Sequence, residues 1–117
     1  MKLYSYWRSS CSWRVRIALI RKGRLDEIVP IHLVRNEQEG ADHRARSPMG
    51  QVPVLETEHG ALSQSLAILE WLEEVHPHPA LLPKDIFDRA TVRAMAAIIA
   101  CDIHPLNNLR VGKALRE

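Results

Sequence analysis

The sequence predicts an α/β domain followed by the beginning of an all-helical one. Three observations carry that reading. Met1-Lys2-Leu3-Tyr4-Ser5-Tyr6 alternates as a strand does, and the chain then passes through Ser9-Ser10-Cys11-Ser12 into Val15, Ala18 and Leu19 at helical spacing. Short runs at 27–33, 51–56 and 60–62 read as further strands, with a strongly periodic helix after them. Past a Pro-rich stretch, Val92, Met95 and Ile99 recur among alanines, a purely helical pattern.

Taken in order, the first helix is predicted over residues 12–21, with Lys22-Gly23 as its basic end and stop. Glu27-Ile28-Val29-Pro30-Ile31-His32-Leu33 follows as a β-branched run that Pro30 demotes to an edge or irregular strand. A helix between two strands implies a parallel βαβ unit. Residues 35–50 are polar and weakly periodic, with a loop at 35–40 and a helical turn at 41–46. The runs 51–56 and 60–62, joined by Thr57-Glu58-His59-Gly60, predict an antiparallel hairpin, although Pro53 donates no ladder bond.

The next helix begins at residues 63–65, carries Leu66, Leu69, Leu72 and Val75, and ends before Pro77. Residues 79–85 read as a linker, residues 86–101 as a helix that His104-Pro105 breaks, and residues 106–115 as its resumption. Strand, helix, strand, hairpin, helix is the order of a thioredoxin-like domain. The predicted organisation is therefore residues 1–78 as that domain, 79–85 as the linker and 86–117 as the start of an all-helical domain.

Composition narrows the functional classes. The chain has 117 residues, about one domain's worth, and its 46% hydrophobic and 26% charged content is ordinary for a globular protein. A net charge of +2, with 16 Lys and Arg mixed among 14 Asp and Glu, builds no phosphate-tracking stripe, so nucleic acid is not an expected partner. No apolar stretch is long enough to span a bilayer and no secretory h-region opens the chain, so no membrane association and a cytoplasmic location are expected. Cys11 and Cys101 are far apart and fit reduced thiols, and the six histidines show no metal-ligand spacing, so no metal is expected.

Chemistry concentrates at the first helix start. Unpaired backbone N–H groups and the positive end of the helix dipole favour an anion there, a thiolate included. A serine at that place is commonly an N-cap. One cap suffices for one helix, and this start offers Ser9, Ser10 and Ser12 beside Cys11.

Ser9-Ser10-Cys11-Ser12-Trp13-Arg14-Val15-Arg16-Ile17-Ala18-Leu19 resembles the signature of the zeta-class glutathione transferases, the family that includes maleylacetoacetate and maleylpyruvate isomerases. Lys22-Gly23, Val29-Pro30-Ile31, Pro48-Met49-Gly50-Gln51-Val52-Pro53, Gln64-Ser65-Leu66-Ala67-Ile68, Leu81-Leu82-Pro83 and Ile103-His104-Pro105-Leu106 follow in the family's order. The resemblance spans essentially the whole chain. It departs at residues 35–50, which are shorter than in the family and carry Arg46-Ser47-Pro48 in place of Leu-Asn-Pro.

The resemblance implies glutathione as a coenzyme and a cis Val52-Pro53 bond. It implies Ser9, Ser10 and Cys11 as catalytic residues, with Ser9 as the hydroxyl that stabilises the thiolate. Further glutathione contacts would come from Ser12, Trp13, Arg14, Gln38, Val52, Gln64, Ser65, His104, Asn108, Leu109 and Arg110. Arg8 and Arg110 would meet the carboxylates of a maleyl diacid, since Arg suits bidentate carboxylate binding. It also implies cis-trans isomerisation in tyrosine and phenylalanine catabolism, glutathione transferase activity, and a homodimer whose helical domain is longer than the segment seen here. Two other classes stay open: a thiol oxidoreductase using Cys11, and a non-catalytic glutathione transferase-like interaction module.

Overall fold

β1 (Lys2–Ser5) is the hub of a four-stranded sheet of order β2-β1-β3-β4, in a computed structural model that describes residues 1–116. It pairs in parallel with β2 (Glu27–Pro30) and antiparallel with β3 (Val54–Thr57), which pairs antiparallel with β4 (Gly60–Ser63). The parallel pair is joined through α1 (Ser10–Arg21), as a crossover requires. Pro30 lies on the edge strand, where its missing N–H costs no ladder bond.

Alternation along β1 separates two layers. Leu3 pairs with Leu55 and is buried in a core with Val15, Ala18 and Leu19 of α1 and Ile68 and Leu72 of α3 (Ser65–Val75). Each large apolar side chain so buried is worth roughly 1.5–3 kcal/mol. Tyr4 points to the opposite face, where its ring meets His43 of α2 (Ala41–Arg46) edge-on at 6.3 Å.

Several element boundaries differ from the sequence expectation. α1 starts at Ser10, two residues early, because Ser9 takes the extended N-cap conformation and its side chain accepts a bond from Ser12 N. β2 ends at Pro30, and residues 33–35 and 37–39 form 3-10 turns. β3 begins at Val54, which leaves Pro53 outside the ladder. The buried stripe of α3 is Ser65, Ile68 and Leu72, whereas Leu66 is only half-buried and Val75 is exposed.

The first compact unit runs from Met1 to Leu81, into the expected linker, and a second starts at Leu82. The physical reason is Lys22, whose side chain is fully buried against Glu73 at 2.8 Å. Its ammonium also donates to the carbonyls of His76 at 2.6 Å and Pro79 at 3.1 Å, and Glu73 accepts from Leu81 N, so the segment after α3 is fastened to the first unit.

In the second unit α4 (Ile86–Ala97) is capped by Asp85, which accepts from Phe87 N and Asp88 N. α4 ends at Ala97, short of the expected Cys101, and passes into a π-helical turn over Ile98–Ile103. α5 (Leu109–Ala114) is shorter than the expected resumption. Among the described residues no helix is long and apolar enough to cross a membrane, and no group of His, Cys, Asp and Glu is placed to hold a metal ion.

Candidate active site

The start of α1 sorts its polar residues by face. Ser12 shares a face with Val15 and Leu19 and is fully buried, so its side chain turns into the core. Cys11 and Arg14, one residue back, send their side chains to a hollow and to Ser65. Ser9 Oγ accepts from Ser12 N at 3.2 Å and still has its own O–H proton to give, so capping leaves it a donor.

Cys11 is half-buried, and burial pushes its thiol above the ordinary range. The Arg14 charge opposes this most, followed by hydrogen bonding to Arg14, to the Ser65 hydroxyl and to the helix backbone, and the net shift remains upward. Cys11 is therefore a protonated thiol near neutral pH, which weighs against its use as a thiolate nucleophile. Arg14 Nη1 donates to Ser65 Oγ at 2.7 Å, while its Nη2 is buried without a hydrogen-bond partner.

Cys11 faces a small open hollow whose other walls are Ser47, Met49, residues 51–53 and residues 63–65. The Val52–Pro53 bond is cis, as is His78–Pro79. Gln64, at the N-cap of α3, sits at φ 72 and ψ 112 and makes no capping bond with its side chain. A non-glycine residue in such a region costs on the order of 1–3 kcal/mol and persists where the surroundings impose it, often at a binding site. Ser65 is the first helical residue rather than the cap, and its hydroxyl accepts from Arg14.

Gln51 is held on both sides by side chains from α2 and its end. His43 Nε2 lies 2.9 Å from Gln51 O, and Ser47 Oγ accepts from Gln51 N at 3.1 Å. Neither His43 nor Ser47 stood out in the sequence. The available signal was two polar residues one helical turn apart, just before a Val-Pro pair.

A chain in which a helix start, a cis-proline loop and a second helix start converge on one hollow can be compared with known proteins. Residues 8–75 match the family described as "Glutathione S-transferase, N-terminal domain". The chain belongs to that family. It is 50% identical over 117 residues to a maleylpyruvate isomerase of Ralstonia sp, covering 100% of this chain and 55% of that protein. It is 53% identical to the maleylacetoacetate isomerase of Rattus norvegicus over 117 residues, covering 98% of this chain and 54% of that one.

Among solved structures it superposes with a TM-score of 0.96 on a holo maleylpyruvate isomerase of the zeta class, at 50% identity over 100% of this chain and 55% of that one. A maleylacetoacetate isomerase from Anaeromyxobacter dehalogenans, solved with GSH in its active site, gives a TM-score of 0.85 at 53% identity over 98% of this chain and 55% of that one. The chain spans about half the length of the relatives it matches.

Within this glutathione transferase domain the hollow brings together Cys11, Val52, Gln64 and Ser65, with Arg14 attached through Ser65. Ser9 and Ser10 stand at the helix start beside it. Trp13 donates from Nε1 to Trp7 O at 2.9 Å and stacks under Arg16, and Arg8 lies over the exposed Trp7 ring. Gln38 does not line the hollow; its carbonyl packs against Gly50 and its Oε1 is buried without a partner.

His104, Asn108, Leu109 and Arg110 belong to the second unit. His104 follows the π-helical turn. Asn108 is the N-cap of α5, its Oδ1 accepting from Arg110 N at 2.9 Å and Val111 N at 3.3 Å. That cap occupies the oxygen through which Asn108 would otherwise meet a ligand. Leu109 and Arg110 are exposed in the first turn of α5.

Proposed function

We propose that this chain binds glutathione in the Cys11 hollow, for cis-trans isomerisation of maleylacetoacetate or a related maleyl diacid. The observation that carries the reading is the convergence of Cys11, Val52-Pro53 and Gln64-Ser65 on one hollow beside the Ser9-capped helix start. Two features of the hollow suit a thiol peptide. Its walls carry a serine hydroxyl held by Arg14, and Gln64, at a positive φ, lines it at the start of α3. The names and bound GSH of relatives about half identical in sequence support the same assignment.

The residues divide the work. Ser65 and Gln64, at the positive end of α3, hold the γ-glutamyl carboxylate. The Val52 main chain pairs with the cysteinyl part, as an added strand pairs with an edge. Ser9 gives its O–H to the sulfur, and the backbone at the start of α1, with Ser10 and Cys11 adjacent, adds positive potential that favours the thiolate. Bound glutathione supplies a nucleophilic sulfur whose reversible addition makes the substrate's double bond a single bond free to rotate. Arg8 takes a substrate carboxylate. The setting we propose is a cytoplasmic homodimer in tyrosine and phenylalanine catabolism, with glutathione transferase activity as a side reaction.

Calorimetric titration with millimolar glutathione tests the binding, and an absence of saturable heat in a folded sample overturns it. Turnover of maleylacetoacetate tests the reaction. Ser9→Ala is expected to lose most of the rate and Cys11→Ala to keep most of it. The reverse order favours a thiol oxidoreductase, and glutathione binding without any turnover favours a non-catalytic module.

A further inference from the structure

We propose that His43 and Ser47 are positioning residues for glutathione, acting through the Gln51 main chain; the proposal rests on the glutathione-binding reading above. His43 is 3% exposed and Ser47 1% exposed, so both are interior polar groups whose bonds matter. A carbonyl only accepts, so the His43 Nε2 at 2.9 Å from Gln51 O carries the ring proton and donates. Its Nδ1 is buried without a partner, which leaves the Gln51 bond as the ring's directional contact. Ser47 Oγ accepts from Gln51 N at 3.1 Å, so donor and acceptor of one residue are both held by side chains.

The clamp is itself braced. Tyr4 of β1 meets the His43 ring edge-on, and Ser47 N closes the last turn of α2 onto His43 O at 2.8 Å. Gly50 N then returns to Ser47 O at 2.8 Å, with Gly50 at φ 60 and so close to Gln38 O and Arg44 that a Cβ would meet them at 3.2 and 3.3 Å. A glycine is needed at that turn.

Its location gives the clamp a function. Gln51 lies ahead of β3, which begins at Val54, so no ladder fixes it. Val52, the next residue, lines the hollow and is the main-chain partner assigned to the thiol peptide. Strand-like recognition draws affinity from main-chain bonds, and their worth depends on the strand being preorganised. His43 and Ser47 supply that preorganisation where the sheet does not.

The test compares glutathione with an analogue methylated on its cysteinyl amide nitrogen, which cannot donate to Val52. The native chain is expected to bind the analogue about tenfold more weakly, the scale of one lost hydrogen bond. His43→Gln, which keeps a nitrogen donor at similar reach, and Ser47→Asn are expected to preserve that ratio. His43→Leu and Ser47→Ala are expected to weaken glutathione about tenfold and leave the analogue nearly unchanged, so the ratio collapses toward one. Ser47→Ala, which removes a single oxygen, carries the test where His43→Leu does not fold. Equal weakening of both ligands overturns the proposal, because a purely structural role would leave the ratio intact. Native binding of glutathione with no preference over the analogue also overturns it while sparing the binding reading. No native binding of glutathione removes both.

Discussion

Arg14 of α1 and Ser65 of α3, 51 residues apart in sequence, are joined by a 2.7 Å bond from the guanidinium to the hydroxyl oxygen. Arg has no acceptor, so Ser65 receives this bond, and its hydroxyl also helps to restrain the upward shift of the Cys11 thiol. One guanidinium thus links the two helix starts on which the site is built.

The first prediction concerns Cys11, which the same guanidinium restrains against burial. In a Cys101→Ser background, alkylation of Cys11 is expected to be slow at neutral pH and to rise only above the ordinary thiol range. Arg14→Met removes the largest lowering influence, so the midpoint moves further up. Because folding favours the protonated thiol, its contribution to stability is present below the unfolded pKa and is lost as pH rises through the higher folded value. A stopped-flow alkylation profile measures this, and a midpoint below that of a free thiol contradicts it.

Lys22 and Glu73 form a pair with side-chain exposures of 0% and 12%. Removing one partner of a buried pair costs about 3–5 kcal/mol, because the other charge is left uncompensated. Lys22→Met is expected to fall in that range by urea denaturation and to expose residues 76–81 to proteolysis. The double variant Lys22→Met/Glu73→Leu is expected to recover part of the loss. An unchanged urea midpoint in the single variant would show that the pair adds no net stability.

Gln64 offers a separation of stability from binding. Glycine adopts a positive φ without the cost borne by Gln, so Gln64→Gly is expected to be neutral or to stabilise by up to about 1 kcal/mol. The same change removes a side chain assigned to the γ-glutamyl carboxylate, so glutathione affinity is expected to fall. Thermal melts and calorimetry on one sample read both, and a variant that is destabilised and binds normally reverses the assignment.

The second unit presents Met95, Ile98, Ile99 and Leu106, each more than half exposed. Burying such side chains is worth roughly 1.5–3 kcal/mol apiece, and exposed apolar patches mark interfaces. Self-association through this region is expected in a sedimentation series, weakened by Ile99→Glu. A monomer at every concentration refutes it.

The order of strands and helices was legible from the sequence because its causes are local. Alternation in residues 1–6, the 3.6-residue rhythm after Ser12, Gly23 as a stop and Pro77 as a break all act within one element. The motif blocks around Ser9, Val52 and Gln64 were legible for the same reason, as short runs of particular side chains. Tertiary structure decided what those runs face. Leu66, Ile68, Leu69 and Leu72 are all apolar, and only packing against α1 and the sheet selects Ile68 and Leu72 for the core. Ser12 and Cys11 are neighbours in sequence, yet the 100° step of a helix buries one hydroxyl and turns the other side chain to the hollow. A helix start by itself favours a thiolate, but the half-burial of Cys11 outweighs Arg14 and raises its pKa. The hold of His43 and Ser47 on Gln51 was least legible, because a side-chain bond to a backbone atom leaves no periodic trace. Local patterns report on the chain's own neighbours, whereas burial and directional bonds depend on groups that only the folded chain brings together.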